Sequence, residues 1–239
     1  MDAHSVAVGT ITWARSPAEE KTILRALGML ATLGLPVITA DAGSRPSFIA
    51  ALHKLRIQII CPREKGLVPQ VKASLRAALD ASDAPFVLYT EPDKHPFFAE
   101  ALHGFLRKAQ AQPSSGLVFA SRNPASFATF PSGQRKAEQM MNDAAALVAR
   151  KAGDYCYGPI LLSRAAASLA QEAPDHLGWG WRFWLLGKAV REKIKITTVK
   201  LSAACPREQR HENTREDQIF RLKQLKQNLE GLFLGSEKT

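Results

Sequence analysis

Short apolar runs alternate with longer stretches of helical spacing through the first half of the chain. Residues 5–12 (SVAVGTIT) have the pattern of a buried strand. Ser16-Pro17-Ala18-Glu19 then has the residues of a helix start: Ser16 to cap, Pro17 for the first helical position, and Glu19 to return a bond to the cap. Apolar residues at Ile23, Leu24, Leu27, Leu30 and Ala31 carry that helix to about Gly34. A second strand over 36–40 runs into Asp41-Ala42-Gly43-Ser44, a loop by composition. The alternation continues with a helix over 47–54, a strand over 57–60, a helix over 68–81 and a strand over 86–89. A helix over 96–111 and a fifth strand over 116–120 follow.

Strands and helices alternating at this spacing imply crossover connections and a mainly parallel central sheet flanked by helices, an α/β fold. Ligands of such sheets bind beyond the carboxyl ends of the strands. The loops at 13–15, 41–45, 61–66, 91–95 and 121–122 are therefore where chemistry is expected.

The second half is less regular. It predicts a helix over 132–150, a turn at Gly153, a strand-like stretch over 154–162, short helices and a strand over 194–201. Thr214-Arg215-Glu216-Asp217 is a capping signal that opens a final helix. That helix carries Ile219, Leu222, Leu225, Leu229 and Leu232 on one face, which is expected to pack on the domain.

Composition narrows the picture. With 239 residues at 46% hydrophobic content, the chain can bury a sizeable core, and one large domain fits as well as two small ones. No run of 18 apolar residues suggests a membrane span, and Met1-Asp2-Ala3-His4-Ser5 lacks the basic and apolar pattern of a secretory signal. Cys61, Cys156 and Cys205 form neither a disulfide framework nor a C-x-x-C pair. The expectation is a cytoplasmic, reduced protein, with association to a membrane surface left open. The net charge of +10 favours an anionic partner, whether a phosphorylated small molecule, a lipid phosphate or nucleic acid. Lys and Arg are spread along the chain, so charge alone does not choose between these and a solvated basic surface.

Phosphate-loop, dinucleotide-fingerprint, serine-hydrolase and zinc-protease motifs are all missing. What stands out is Tyr89-Thr90-Glu91-Pro92-Asp93-Lys94, directly after the fourth strand. Carboxylates one residue apart in an extended segment project to one side. Glu91 and Asp93 so placed could hold Mn²⁺ or Mg²⁺, whose other positions take diphosphate oxygens. A solvated acidic loop is the competing explanation for so short a motif.

The order of these signals resembles the nucleotide-diphospho-sugar transferase (GT-A) fold, close to glycosyltransferase family 2. The resemblance is carried by the strand over 6–10, the helix from Pro17, Asp41-Ala42-Gly43-Ser44, Lys65-Gly66, the E-x-D loop and Ser121-Arg122, over about residues 5–201. It implies a single domain over 1–239, with a nucleotide-sugar-binding half (1–122) and an acceptor-binding half (123–239). By carry-over, Asp41 lies near the nucleoside, while Lys65 and Arg122 help to hold the donor. Glu91 and Asp93 replace the family's D-x-D pair, with a longer first arm.

In soluble relatives resembling glucosyl-phosphoglycerate and mannosylglycerate synthases, a late histidine completes the metal site. His211 in Arg210-His211-Glu212-Asn213 is the candidate here, against a surface histidine in a charged loop. Asp154-Tyr155-Cys156-Tyr157-Gly158-Pro159 resembles the acceptor-side segment and makes Asp154 the candidate catalytic residue. The Gly178-Trp179-Gly180-Trp181 turn resembles the one that introduces an acidic residue, but Arg182, Phe183 and Trp184 follow instead. Trp179, Trp181 and Trp184 are read equally as sugar-stacking groups or core anchors.

The expectation is a metal-dependent glycosyltransferase that moves a hexose from a nucleoside-diphosphate donor to a small anionic or lipid-phosphate acceptor. For want of a carboxylate at that turn, the anomeric configuration is expected to be retained. A non-catalytic nucleotide-sugar-binding protein is the first rival. A sugar-phosphate nucleotidyltransferase would need a glycine-rich loop where Thr12-Trp13-Ala14-Arg15-Ser16 stands. A nucleic-acid binder would need a basic-aromatic module, and none is recognisable.

Overall fold

The computed structural model describes residues 5–112, 114–210 and 214–237. In chain order its elements are β1 (Val6–Thr12), α1 (Pro17–Ala31), β2 (Val37–Asp41), α2 (Pro46–Lys54), β3 (Gln58–Ile60), α3 (Leu67–Ala81) and β4 (Phe86–Tyr89). A π-helical turn (Phe97–Ala101), α4 (Leu102–Gln110), β5 (Leu117–Arg122), α5 (Pro124–Phe127) and α6 (Ser132–Ala149) follow. The remaining elements are β6 (Ile160–Ser163), α7 (Arg164–Leu169), α8 (Trp181–Arg191), β7 (Ile196–Leu201) and α9 (Arg215–Ser236). Two compact units share them. One runs to Leu102 and adds Pro159–His176; the other combines His103–Gly158 with the residues from Leu177 onward.

In the first unit the strands lie in the order β3-β2-β1-β4-β6. β1 pairs in parallel with β2 and β4, and β2 with β3, as strand–helix–strand crossovers require. β6 runs antiparallel to β4, with Tyr89 opposite Ile160. β1 is central, and Val6, Ala7 and Val8 are fully buried, which is why it reads as a continuous apolar run rather than an alternating one.

Ser16 caps α1 by accepting the Glu19 amide at 3.2 Å. The Glu19 carboxylate reaches one residue beyond the expected partner, to the Arg15 amide at 2.8 Å and the Arg15 guanidinium at 2.7 Å. The strand expected over 154–162 is confined to Ile160–Ser163. Upstream of it, side chains take the backbone amides that a ladder would have used: Ser121 Oγ accepts from Asp154, Asn142 Oδ1 from Tyr155, and Asp154 Oδ1 from Cys156.

In the second unit β5 and β7 pair in parallel, from Leu117 opposite Ile196 to Arg122 opposite Leu201. The last helix begins as expected, with a capping box in which Thr214 and Asp217 satisfy one another. Its packing face differs from the leucine stripe. Leu225 and Leu232 are buried, but Ile219, Leu222 and Leu229 remain 43%, 64% and 40% exposed. Glycines set the seam instead. A Cβ built on Gly231 would stand 2.1 Å from the Gly180 carbonyl oxygen, and one on Gly235 would stand 2.1 Å from that of Trp184. α9 thus approaches α8 backbone to backbone, which rotates the leucines away from the contact.

Candidate functional site

The carboxyl ends of β1 and β2 are tied together by buried polar side chains. Asp41 closes β2 opposite Thr12 and is 2% exposed. Its Oδ1 accepts the amides of Gly43 and Ser44 at 2.8 and 2.7 Å. Its Oδ2 accepts the hydroxyls of Thr12 and Ser44 at 2.8 and 2.6 Å. Four donors fill the acceptor capacity of a carboxylate, so Asp41 organises its own turn. Gln70 on α3 reinforces the arrangement by donating to the carbonyls of Thr12 and Ala40 at 3.1 and 2.9 Å.

Beside these ends, β4 delivers Glu91 and Asp93. Thr10 on β1 donates to the Thr90 carbonyl at 2.7 Å, which fixes the strand exit. The segment is not extended beyond Glu91. Pro92 and Asp93 form a turn, as the fixed φ of proline favours, and the Asp93 carbonyl accepts the His95 amide at 2.9 Å. Glu91 is 7% exposed. Asp93 Oδ1 is buried, receives no hydrogen bond, and lies 3.6 Å from Lys94 Nζ. The Lys94 ammonium offsets part of the cost of leaving that oxygen without a hydrogen bond. Among the described residues no group of three or more His, Cys, Asp or Glu is placed to hold a metal; His211 lies outside them.

Lys65 is exposed, next to Gly66, whose φ of 127° opens α3. Trp13, in the loop after β1, is 56% exposed, with the Arg15 guanidinium 5.3 Å from its ring centre. The position of this loop at a strand's carboxyl end marks it as a place for chemistry, but Trp13 itself is not singled out by the sequence. A large aromatic in a loop at a strand's carboxyl end was the signal available there.

In the second unit Arg122 and Asp154 meet each other. Arg122 Nε donates to Asp154 Oδ2 at 2.6 Å and Arg122 Nη2 to Asp154 Oδ1 at 3.0 Å. The same Nη2 reaches Glu138 at 2.6 Å. The guanidinium lies over the rings of Phe127, Phe130 and Tyr157, at 4.8, 4.3 and 5.3 Å. Burial would lower the Arg122 pKa, but Glu138 and Asp154 outweigh it and hold the group firmly charged. Burial likewise works against the Asp154 carboxylate, and Arg122 prevails, keeping its pKa below the usual range. Burial, with Glu138 and Asp154 nearby, pushes the Cys156 thiol well up. The candidate base is thus an ion-paired anion of weakened basicity. Trp181 and Trp184 are core residues at 1% and 7% exposure, and Trp179 is half-buried.

No helix among the described residues is long and apolar enough to cross a membrane. No protein-family model matches the chain, and no curated protein matches it. Solved structures do. One is glucosyl-3-phosphoglycerate synthase from Mycobacterium tuberculosis with Mn²⁺, UDP-glucose and phosphoglyceric acid, at 16% identity and a TM-score of 0.67, covering 98% of this chain and 80% of that one. The same enzyme with Mn²⁺, UDP and glucosyl-3-phosphoglycerate matches at 17% identity and a TM-score of 0.66, again over 98% and 80%. With phosphoglyceric acid alone it matches at 15% and 0.64, over 97% and 81%. The chain therefore has the GT-A, nucleotide-diphospho-sugar transferase fold of that synthase.

Proposed function

We propose that this protein is a metal-dependent glycosyltransferase that moves a hexose from a nucleoside-diphosphate sugar to a small phosphorylated or carboxylated acceptor. The observation that carries this reading is the pair Glu91 and Asp93 at the exit of β4, where Asp93 Oδ1 accepts no hydrogen bond and has the Lys94 ammonium 3.6 Å away. Those two carboxylates fit a divalent cation, Mn²⁺ or Mg²⁺; the sequence candidate for a further ligand, His211, lies outside the described residues. Bound there, the metal supplies neutralisation of charge on the departing diphosphate.

The chain's own residues do the rest. Asp41, Thr12, Ser44 and Gln70 hold the loops at the ends of β1 and β2 in one arrangement, which spares the site reorganisation when the donor arrives. Lys65 would meet the anionic donor, a reading supported by its exposure beside the start of α3. Arg122 and Asp154 position the segment before β6 rather than donor or proton. Asp154 is ion-paired with Arg122 and Arg182 stands where the resemblance places a carboxylate, which leaves Asp175 as the other candidate base for inversion. A departing phosphate that takes the acceptor proton on its own face supports retention. The engaged Asp154 also favours a second reading, a nucleotide-sugar-binding protein without transferase activity.

One assay separates them. The protein is incubated with UDP-, GDP- and ADP-hexoses, Mn²⁺, and either 3-phosphoglycerate or glycerol 3-phosphate as acceptor. Acceptor-dependent release of nucleoside diphosphate is expected, and proton NMR should show an α-linked first product from an α-linked donor. A β-linked product would reverse the retaining assignment. Donor binding with no transfer to any acceptor would favour the binding protein.

A further inference from the structure

Lys94 follows the two carboxylates directly, and its ammonium lies 3.6 Å from Asp93 Oδ1, an oxygen that accepts no hydrogen bond. In an extended strand, residues 93 and 94 would face opposite ways. The turn at Pro92 and Asp93, closed by the His95 amide on the Asp93 carbonyl at 2.9 Å, brings the two charges together instead. The Lys94 side chain is 23% exposed and that of Asp93 40%, so solvent and salt screen the pair only in part.

We propose that Lys94 is the residue that couples cation binding to diphosphate binding: it neutralises Asp93 until a divalent cation arrives, then gives its charge to the diphosphate. The inference rests on the nucleotide-sugar reading above. Lys94 opposes a divalent ion at Asp93, because like charges at such short range repel. It therefore weakens cation binding to the protein alone. A diphosphate reverses the balance by supplying negative charge to both cations. The lysine ammonium is a point charge on a flexible four-carbon stem, able to leave one anion for another, and lysine is a common phosphate ligand. Relief of the repulsion appears as positive coupling between cation and nucleotide, and that coupling is reciprocal. Glu91 and Asp93 without Lys94 would take the cation first and gain less from the nucleotide.

The test is a binding cycle by calorimetry: Mn²⁺ alone, then UDP, GDP and ADP, each with chelator and with saturating Mn²⁺. Electron paramagnetic resonance of free Mn²⁺ measures the first arm independently. Lys94→Met should bind Mn²⁺ alone about 10-fold more tightly than the parent. The factor by which Mn²⁺ tightens the best nucleotide should fall roughly 10-fold, within the range usual for linked sites. Lys94→Gln, which keeps a hydrogen-bond donor without the charge, should behave like Lys94→Met and covers the case in which methionine disturbs the turn. Lys94→Arg keeps the charge and should bind Mn²⁺ alone as weakly as the parent.

An unchanged Mn²⁺ affinity in both uncharged variants would overturn the inference and leave the donor reading standing. So would an unchanged coupling factor, which would place the effect on the cation alone. Weaker Mn²⁺ binding in all three variants would also overturn it, by making Lys94 a support of the turn. If the parent binds no nucleotide in either condition, the donor reading itself fails; tighter Mn²⁺ in Lys94→Met would then still establish the hold of Lys94 on Asp93.

Discussion

Asp154→Ala is expected to destabilise the protein by about 3–5 kcal/mol, because removing one partner of a buried ion pair strands the other charge. The Arg122 side chain is 1% exposed and the Asp154 side chain 8%, so water cannot replace the lost carboxylate. Glu138 still reaches Arg122 and should hold the loss to the lower part of that range. The amides of Arg122 and Cys156 also lose their acceptor. Adding Arg122→Met should restore much of the stability by removing the stranded charge. Urea denaturation of the three proteins tests this, and a loss in Asp154→Ala of less than about 1 kcal/mol would place the pair among weak surface contacts.

The same pair gives a pH signature. Arg122 depresses the folded-state pKa of Asp154 below its unfolded value of about 3.9. The stabilisation is therefore complete above that value and is lost as pH falls through the folded pKa. The stability gap between the parent and Asp154→Ala should be constant near neutrality and narrow below about pH 4.

The second large effect lies in the α8–α9 seam. Alanine in a helix interior is favoured over glycine by about 1 kcal/mol, so Gly231→Ala and Gly235→Ala would stabilise an isolated α9. Here each new Cβ would sit 2.1 Å from a backbone carbonyl oxygen. Backbone cannot rotate away as a side chain can, and overpacking of this kind costs about 1–3 kcal/mol or more per site. The clash wins, and the double variant should lose about 3 kcal/mol or more. Gly104 on α4 is the control: nothing lies within 4 Å of its added Cβ. Gly104→Ala should be neutral or stabilising by about 1 kcal/mol. Similar melting shifts for all these variants would contradict the close backbone approach.

The elements legible in the sequence are those fixed by local rules. β4 spans Phe86–Tyr89 as expected, because an apolar run bounded by Pro85 and a polar loop admits little else. α1 and α9 start where Ser16 and Thr214 cap them. The parallel sheet followed from the alternation of strands and helices, and the solved structures bear out its fold class. What stayed hidden depends on partners distant in sequence. Arg122 and Asp154 satisfy each other across 32 positions, so each read as available for chemistry. Asp41 is filled by Thr12, 29 positions away, as much as by its own turn. The π-helical turn at Phe97–Ala101 and the glycine seam of α9 leave no periodic trace. The leucine stripe of α9 followed the right period but only in part the packing face: Leu225 and Leu232 are buried, and Ile219, Leu222 and Leu229 are not.

The central claim is that Glu91 and Asp93 bind a divalent cation that bridges to a nucleoside diphosphate. Calorimetry of UDP, GDP and ADP, each with Mn²⁺ and with chelator, tests it most directly, with Asp93→Ala measured in parallel. At least one nucleotide should bind far more tightly with Mn²⁺, and Asp93→Ala should abolish that gain while melting at nearly the same temperature, since the Asp93 side chain is 40% exposed although its Oδ1 is not and a loop carboxylate of that kind contributes little to stability. The same affinity with Mn²⁺ and with chelator would contradict the account. So would an Asp93→Ala variant that keeps the full metal-dependent gain.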